Sequence, residues 1–184
     1  ALPRDLAAPL LIVQHIAAGF TAGFVEWLGG AAHFPVHVAA HGKSPLPGHA
    51  YVAPDGFHMG VSGGPRITLS DEAPENGLRP SVNYLFRSVA RVLGPRAVGV
   101  LLTGMGRDGA EELKAMKDEG AVTIAQDEAS SVVHGMPGEA IKLGAATYIL
   151  PPEGIASMLA GVIDKANGRN KSIRRQIPPA RQRS

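Results

Sequence analysis

The chain has 184 residues, 45% apolar and 18% charged, which suits one globular domain with a buried core and excludes a chain disordered throughout. With no cysteine, disulfide scaffolds and cysteine-ligated zinc or iron–sulfur sites are excluded. No apolar run approaches the ~18 residues of a membrane helix and no signal-peptide pattern opens the chain, so a soluble cytoplasmic protein is expected.

Taken in chain order, Leu10 to Val13 is a short aliphatic run that leads into a helix-period segment from Phe20 to Leu28. His37 to Ala39, Ala50 to Ala53, Phe57 to Val61 and Ile67 to Leu69 are short strand candidates between Pro-Gly, Asp-Gly and Gly-Gly turns. They read as a β-rich insertion that contains a hairpin. Pro80 opens a strong helix, with Val82, Leu85, Phe86, Val89, Val92 and Leu93 at helical spacing. Ala97 to Leu102 is a buried-type strand before a helix over Glu111 to Glu119. Ala121 to Ala125 leads to a helix over Gly138 to Leu143, and Ala146 to Leu150 leads to a last helix from Pro152 to about Lys165. Unbroken apolar strands alternating with amphipathic helices predict an α/β fold, doubly wound, with a mostly parallel sheet and helices on both faces.

The net charge of +2 hides an asymmetry. Residues 1–164 carry eleven basic and sixteen acidic side chains, whereas residues 165–184 carry seven basic and no acidic ones. The pI near 9.1 belongs to a tail. Residues 1–166 are expected to form the domain and 167–184 a basic, disordered tail. The tail has no aromatic residue for base stacking, so no nucleic acid partner is expected. The first residue is Ala rather than Met, as in a fragment or a processed chain.

The richest stretch is Leu101 to Glu111, a strand, a glycine turn and a helix start. Gly104, Gly106 and Gly109 fit the dinucleotide pattern G-x-G-x-x-G, with Asp127 placed for a ribose hydroxyl. Asp108, Glu111 and Glu112 stand against it, because they would repel a pyrophosphate from that helix N-terminus. Asp108 has two further readings. With Glu111 three residues on, it forms a capping box for its own helix. Alternatively it orients a histidine, and His15 ends the strand over Leu10 to Gln14 on what would be the same edge of a parallel sheet. His33, His37 and His41 recur every four residues, but on a strand they span ~13 Å, too far for one metal ion.

Five segments, in order, carry a resemblance. They are Pro9 to His15 with Gly19-Phe20-Thr21; Leu46-Pro-Gly-His-Ala-Tyr-Val-Ala-Pro54; Arg79-Pro-Ser-Val82; Ala97 to Gly109; and Ile124 to Pro137. Together they resemble the catalytic domain of chemotaxis protein-glutamate methylesterases, over Pro9 to about Ala166. The resemblance implies hydrolysis of γ-glutamyl methyl esters, and deamidation of certain glutamines, on the methylated cytoplasmic helices of chemoreceptors. It implies a Ser-His-Asp triad matched here by His15 and Asp108, and an oxyanion contact from the backbone N–H of Met105. No metal and no organic cofactor is implied, nor insertion into a membrane. A receiver domain in the same parent protein is usual in the family.

The sequence departs from that pattern in three places. The family's nucleophilic serine lies in a Gly-x-Ser-x-Gly-Gly-Pro turn after a strand upstream of Leu10, and this chain begins too late to contain it. Gly60-Val-Ser-Gly-Gly-Pro65 is one residue shorter and is followed by no helical pattern, so Ser62 reads as a turn residue. Ser130 and Ser131 read as supports of their loop. Asn83 stands where close relatives often carry Asp and is given no function; His134 replaces an aromatic residue. Two other functional classes remain open: an interaction module of the same fold without chemistry, and a dinucleotide-binding domain.

Overall fold

The computed structural model describes residues 2–3, 6–32 and 34–174. Its elements are β1 (Leu10–Ile12), α1 (Thr21–Ala32), β2 (Val36–Val38), β3 (Ala50–Val52), β4 (His58–Ser62), β5 (Arg66–Ser70), α2 (Val82–Leu93), β6 (Val98–Leu101), α3 (Ala110–Asp118), β7 (Val122–Gln126), α4 (Met136–Lys142), β8 (Tyr148–Leu150) and α5 (Pro152–Arg174).

The parallel strands form two three-stranded sheets, in the orders β1-β3-β2 and β6-β7-β8. Among the described residues β1 pairs only with β3 and β6 only with β7, so the two sheets share no ladder. The antiparallel hairpin β4–β5 stands apart from both, with Gly60 opposite Thr68. The α/β architecture and the hairpin follow expectation. The membership of the insertion does not. β2 and β3 belong to the parallel sheet, and only β4 and β5 form the hairpin. β3 shows why: Ala50, Tyr51 and Val52 are all buried, the mark of a strand covered on both faces rather than of an alternating hairpin strand.

Helix α2 is the structural hinge between the hairpin and the β6 half. It begins with Ser81 as N-cap, whose side chain accepts from the Asn83 N–H, and it ends at Gly94. Its buried face is Val82, Leu85, Phe86, Val89 and Ala90, with Val92 and Leu93 packed at the margin. That face meets Met59 and Ile67 of the hairpin and Leu113 and Met116 of α3, all essentially inaccessible to solvent. Burying each such side chain contributes about 1.5–3 kcal/mol. Arg87 adds a polar clamp on the other side of α2. Its guanidinium donates to both Glu75 carboxylate oxygens at 2.9 Å and to Glu112 Oε1 of α3 at 2.9 Å.

Helix α5 runs past its expected end near Lys165 to Arg174. Residues 175–184, and so the end of the expected disordered tail, lie outside the described residues. Among the described residues no helix is long and apolar enough to cross a membrane.

Candidate active site

His15 and Asp108 come together across the two sheets. His15 follows β1, and Asp108 follows β6 on the loop that enters α3. His15 Nε2 lies 3.0 Å from Asp108 Oδ2, with the imidazole about a quarter exposed and the carboxylate almost wholly buried. Nε2 is itself buried and lies off the line that an N–H···O hydrogen bond requires, so the contact is a close approach without an aligned hydrogen bond. Catalytic hydrogen bonds are often poorly aligned before substrate arrives and tighten afterwards.

Asp108 does not cap its own helix. Gly109 is the N-cap of α3, at φ +87°, and gives no side-chain cap. The Asp108 carboxylate turns instead onto the N-terminus of α2. Oδ1 accepts from Ser81 Oγ at 2.8 Å and from the Asn83 N–H at 3.1 Å, and Oδ2 accepts from the Val82 N–H at 2.7 Å. The capping-box expectation for Asp108 and Glu111 is thus corrected: a left-handed glycine starts α3, which leaves Asp108 free to serve another helix. That glycine is also required by space, since a Cβ on Gly109 would lie 2.6 Å from Val82 Cγ1 and 2.9 Å from Leu101 Cδ1. Burial pushes the Asp108 carboxyl up, but His15, the Val82 and Asn83 amides and the Ser81 hydroxyl outweigh it and hold the group below the usual carboxylate range.

The loop after His15 is pinned by a residue that the sequence showed only as part of an Asp-Gly turn. Asp55 accepts from the Gly19 N–H at 2.8 Å and from the Thr21 hydroxyl at the start of α1. These donors, Thr21 first, hold its carboxyl below the ordinary value. Asn83 is a second residue without an expected role. Its Oδ1 accepts the Gly109 N–H at 2.8 Å, which ties α2 to the backbone immediately after Asp108.

Met105 stands three residues before Asp108 and is 82% exposed. Its N–H donates to no acceptor among the described residues. The turn around it is held from behind. Gly104 N–H donates to Val133 O at 3.0 Å, and Gly104 O accepts from Gly135 and Met136 at 3.1 and 2.9 Å. A Cβ on Gly135 would meet Gly104 O at 2.6 Å and Gly106 N at 2.9 Å, so this turn lies flat on Gly135. Gly135→Ala is expected to displace Met105 and to lower thermal stability by about 1–3 kcal/mol, read from chemical denaturation. An unchanged unfolding midpoint would show that the turn accommodates the methyl group.

The other residues singled out in the sequence lie elsewhere. Ser62 is paired with Arg66 at the tip of the hairpin. Ser130 and Ser131 tie down their loop: the Ser130 N–H donates to Asp127 Oδ1 at 3.0 Å and Ser131 Oγ to Asp127 O at 2.6 Å. Asp127, the ribose partner of the dinucleotide reading, is thus engaged within its own loop. His37 pairs with His49, Nε2 to Nδ1 at 2.9 Å, while His41 Nδ1 accepts from the Leu69 N–H at 3.1 Å. His33 lies outside the described residues. Among the described residues no three His, Asp or Glu side chains are grouped to hold a metal ion.

Comparison with known proteins gives the family and the fold. The family described as CheB methylesterase matches residues 1–159. A Syntrophus aciditrophicus protein named protein-glutamate methylesterase/protein-glutamine glutaminase 1 is 63% identical over 158 residues, 86% of this chain and 45% of its own length. A Geobacter metallireducens protein, named protein-glutamate methylesterase/protein-glutamine glutaminase 4, is 60% identical over 162 residues, 88% of this chain and 47% of its own. The chain spans about half the length of the curated relatives it matches. The crystal structure of the Thermotoga maritima CheB methylesterase catalytic domain superposes with a TM-score of 0.84 at 34% identity, covering 88% of this chain and 87% of that one. Sequence motifs, fold and relatives converge, and the chain belongs to the CheB methylesterase family.

Proposed function

We propose that this is the catalytic domain of a cytoplasmic protein-glutamate methylesterase, which also deamidates glutamines, acting on methylated cytoplasmic helices of bacterial chemoreceptors. The observation that carries this reading is the 3.0 Å approach of His15 Nε2 to the buried Asp108 carboxylate. Among the described residues no serine hydroxyl is hydrogen-bonded to His15, and on this reading the nucleophile is the serine of the family's Gly-x-Ser-x-Gly-Gly-Pro turn.

The serine hydroxyl attacks the γ-carbonyl carbon while the ring nitrogen turned away from Asp108, Nδ1, takes its proton. Asp108 stabilises the imidazolium, and the Met105 N–H donates to the tetrahedral oxyanion, a contact typically worth about 3 kcal/mol. Return of the proton releases methanol, or ammonia from a glutamine. Water, activated by the same imidazole, then frees the glutamate and restores the serine. A receiver domain in the same parent protein belongs to this reading; the relatives' additional length leaves room for it.

The test is methanol release from methyl-labelled receptor cytoplasmic fragments by the protein that carries this domain with its nucleophile turn. Release at turnover rates is expected; none, with the protein folded, would overturn the reading. One observation favours a second reading, binding without chemistry. Beside His15, α1 shows an open apolar face, with Phe20 68% and Trp27 65% exposed next to Ile16 and Phe24. Receptor binding with no methanol release would select it.

A further inference from the structure

The carboxylate of Asp108 is held by more than its histidine. Its two oxygens receive three protein donors, all from the first residues of α2, and the remaining direction of Oδ2 faces His15. A carboxylate with both oxygens engaged in this way cannot rotate about its Cβ–Cγ bond without breaking hydrogen bonds. The α2 N-terminus adds the positive end of its dipole. Asn83 closes the arrangement in the opposite direction, because its side-chain oxygen accepts the Gly109 N–H while its backbone N–H donates to Asp108. Two elements separated by 26 residues in sequence are thus cross-linked on both sides of the Asp108 carboxylate.

The anchor itself is buried. Ser81 is inaccessible to solvent, and its own N–H donates to Nδ1 of the equally buried His58 at 3.3 Å, whose Nε2 reaches Ala73 O at 3.2 Å. The His58 ring stacks on Tyr84 of α2 at 4.7 Å. The hairpin therefore holds the end of α2, and the end of α2 holds Asp108.

We propose that Ser81 and Asn83 are positioning residues for the reaction, fixing the Asp108 carboxylate so that Oδ2 faces His15. This rests on the esterase reading of the His15–Asp108 pair. Neither residue touches substrate; each acts through Asp108.

Two readouts test the proposal: the carbon-13 titration of the Asp108 carboxyl in the full chain, and the split between kcat and KM for methyl ester hydrolysis. Ser81→Ala removes one donor from Oδ1. The Asp108 titration midpoint is expected to move up, and kcat to fall about ten- to a hundredfold with KM held. Asn83→Ala is expected to lower kcat while Asn83→Asp, which keeps an acceptor for Gly109, restores it. A Ser81→Ala protein that melts earlier yet keeps the wild-type Asp108 midpoint and kcat would overturn the proposal and leave a structural cap. Should that variant not fold, the Asn83 pair decides, since equal kcat in Asn83→Ala and wild type overturns the proposal equally. The two readings fail differently. If His15→Ala leaves ester hydrolysis intact, the catalytic assignment of the His15–Asp108 pair falls, whereas the Asp108 titration reports the anchoring regardless.

Discussion

His15→Ala is expected to lower kcat for methyl ester hydrolysis by about 10⁴–10⁶-fold while leaving the fold intact. The size of the effect follows from what the imidazole does in the proposed reaction. It accepts the proton of the nucleophile and later protonates the leaving methoxide, and no other imidazole among the described residues is paired with Asp108. Among the described residues the next histidines, His37, His41 and His49, are engaged with one another or with the hairpin backbone. The small structural effect follows from His15 itself. Its side chain is a quarter exposed and its buried nitrogen makes no aligned hydrogen bond, so truncation leaves no strong bond broken. Methanol release and the unfolding midpoint, measured on one preparation, check both halves. Wild-type turnover in the variant would remove His15 from the mechanism.

Asp108→Ala is expected to damage both activity and stability. Turnover should fall about 10⁴-fold, because the imidazole loses the group that sets its tautomer and stabilises its cation. Stability should fall by about 2–3 kcal/mol, since the Val82 amide and the Ser81 hydroxyl lose their acceptor in a buried place. The pH dependence has a definite sign. The folded-state pKa of Asp108 lies below its unfolded value. Its contribution is therefore fully present above the unfolded value, about 4, and is lost as pH falls through the lower folded value. Denaturant unfolding at neutral pH should show a wide gap between wild type and variant that narrows on acidification below about pH 4. A gap independent of pH would mean that the carboxylate is not the stabilising species.

The elements that sequence made legible are those with strong local signals. The helical spacing of Val82, Leu85, Phe86 and Val89 identifies α2, and unbroken aliphatic runs identify β1 and β6. His15 and Asp108 emerge as partners because both follow such strands, and parallel strands align their ends. What stayed hidden is non-local. Asp108 with Glu111 satisfies a capping pattern within four residues, whereas its observed partners lie 26 residues away on another helix. Asn83 and Asp55 look like an ordinary helix residue and an ordinary turn residue, since their partners Gly109 and Gly19 are distant in sequence. The strand β3 reads in sequence as part of an insertion because its parallel neighbours, β1 and β2, both precede it across long connections.

The division of the strands into two ladders gives the His15–Asp108 contact a further significance. One partner rides on each sheet, and among the described residues no backbone ladder holds β1 in register with β6. A slip of one sheet by a single residue, about 3.3 Å, exceeds the whole 3.0 Å separation of the pair. The pair is thus sensitive to the alignment of the two sheets, since a shear of that size would part His15 from Asp108. In the proposed reaction, the support that Asp108 gives the imidazolium would be lost with that contact.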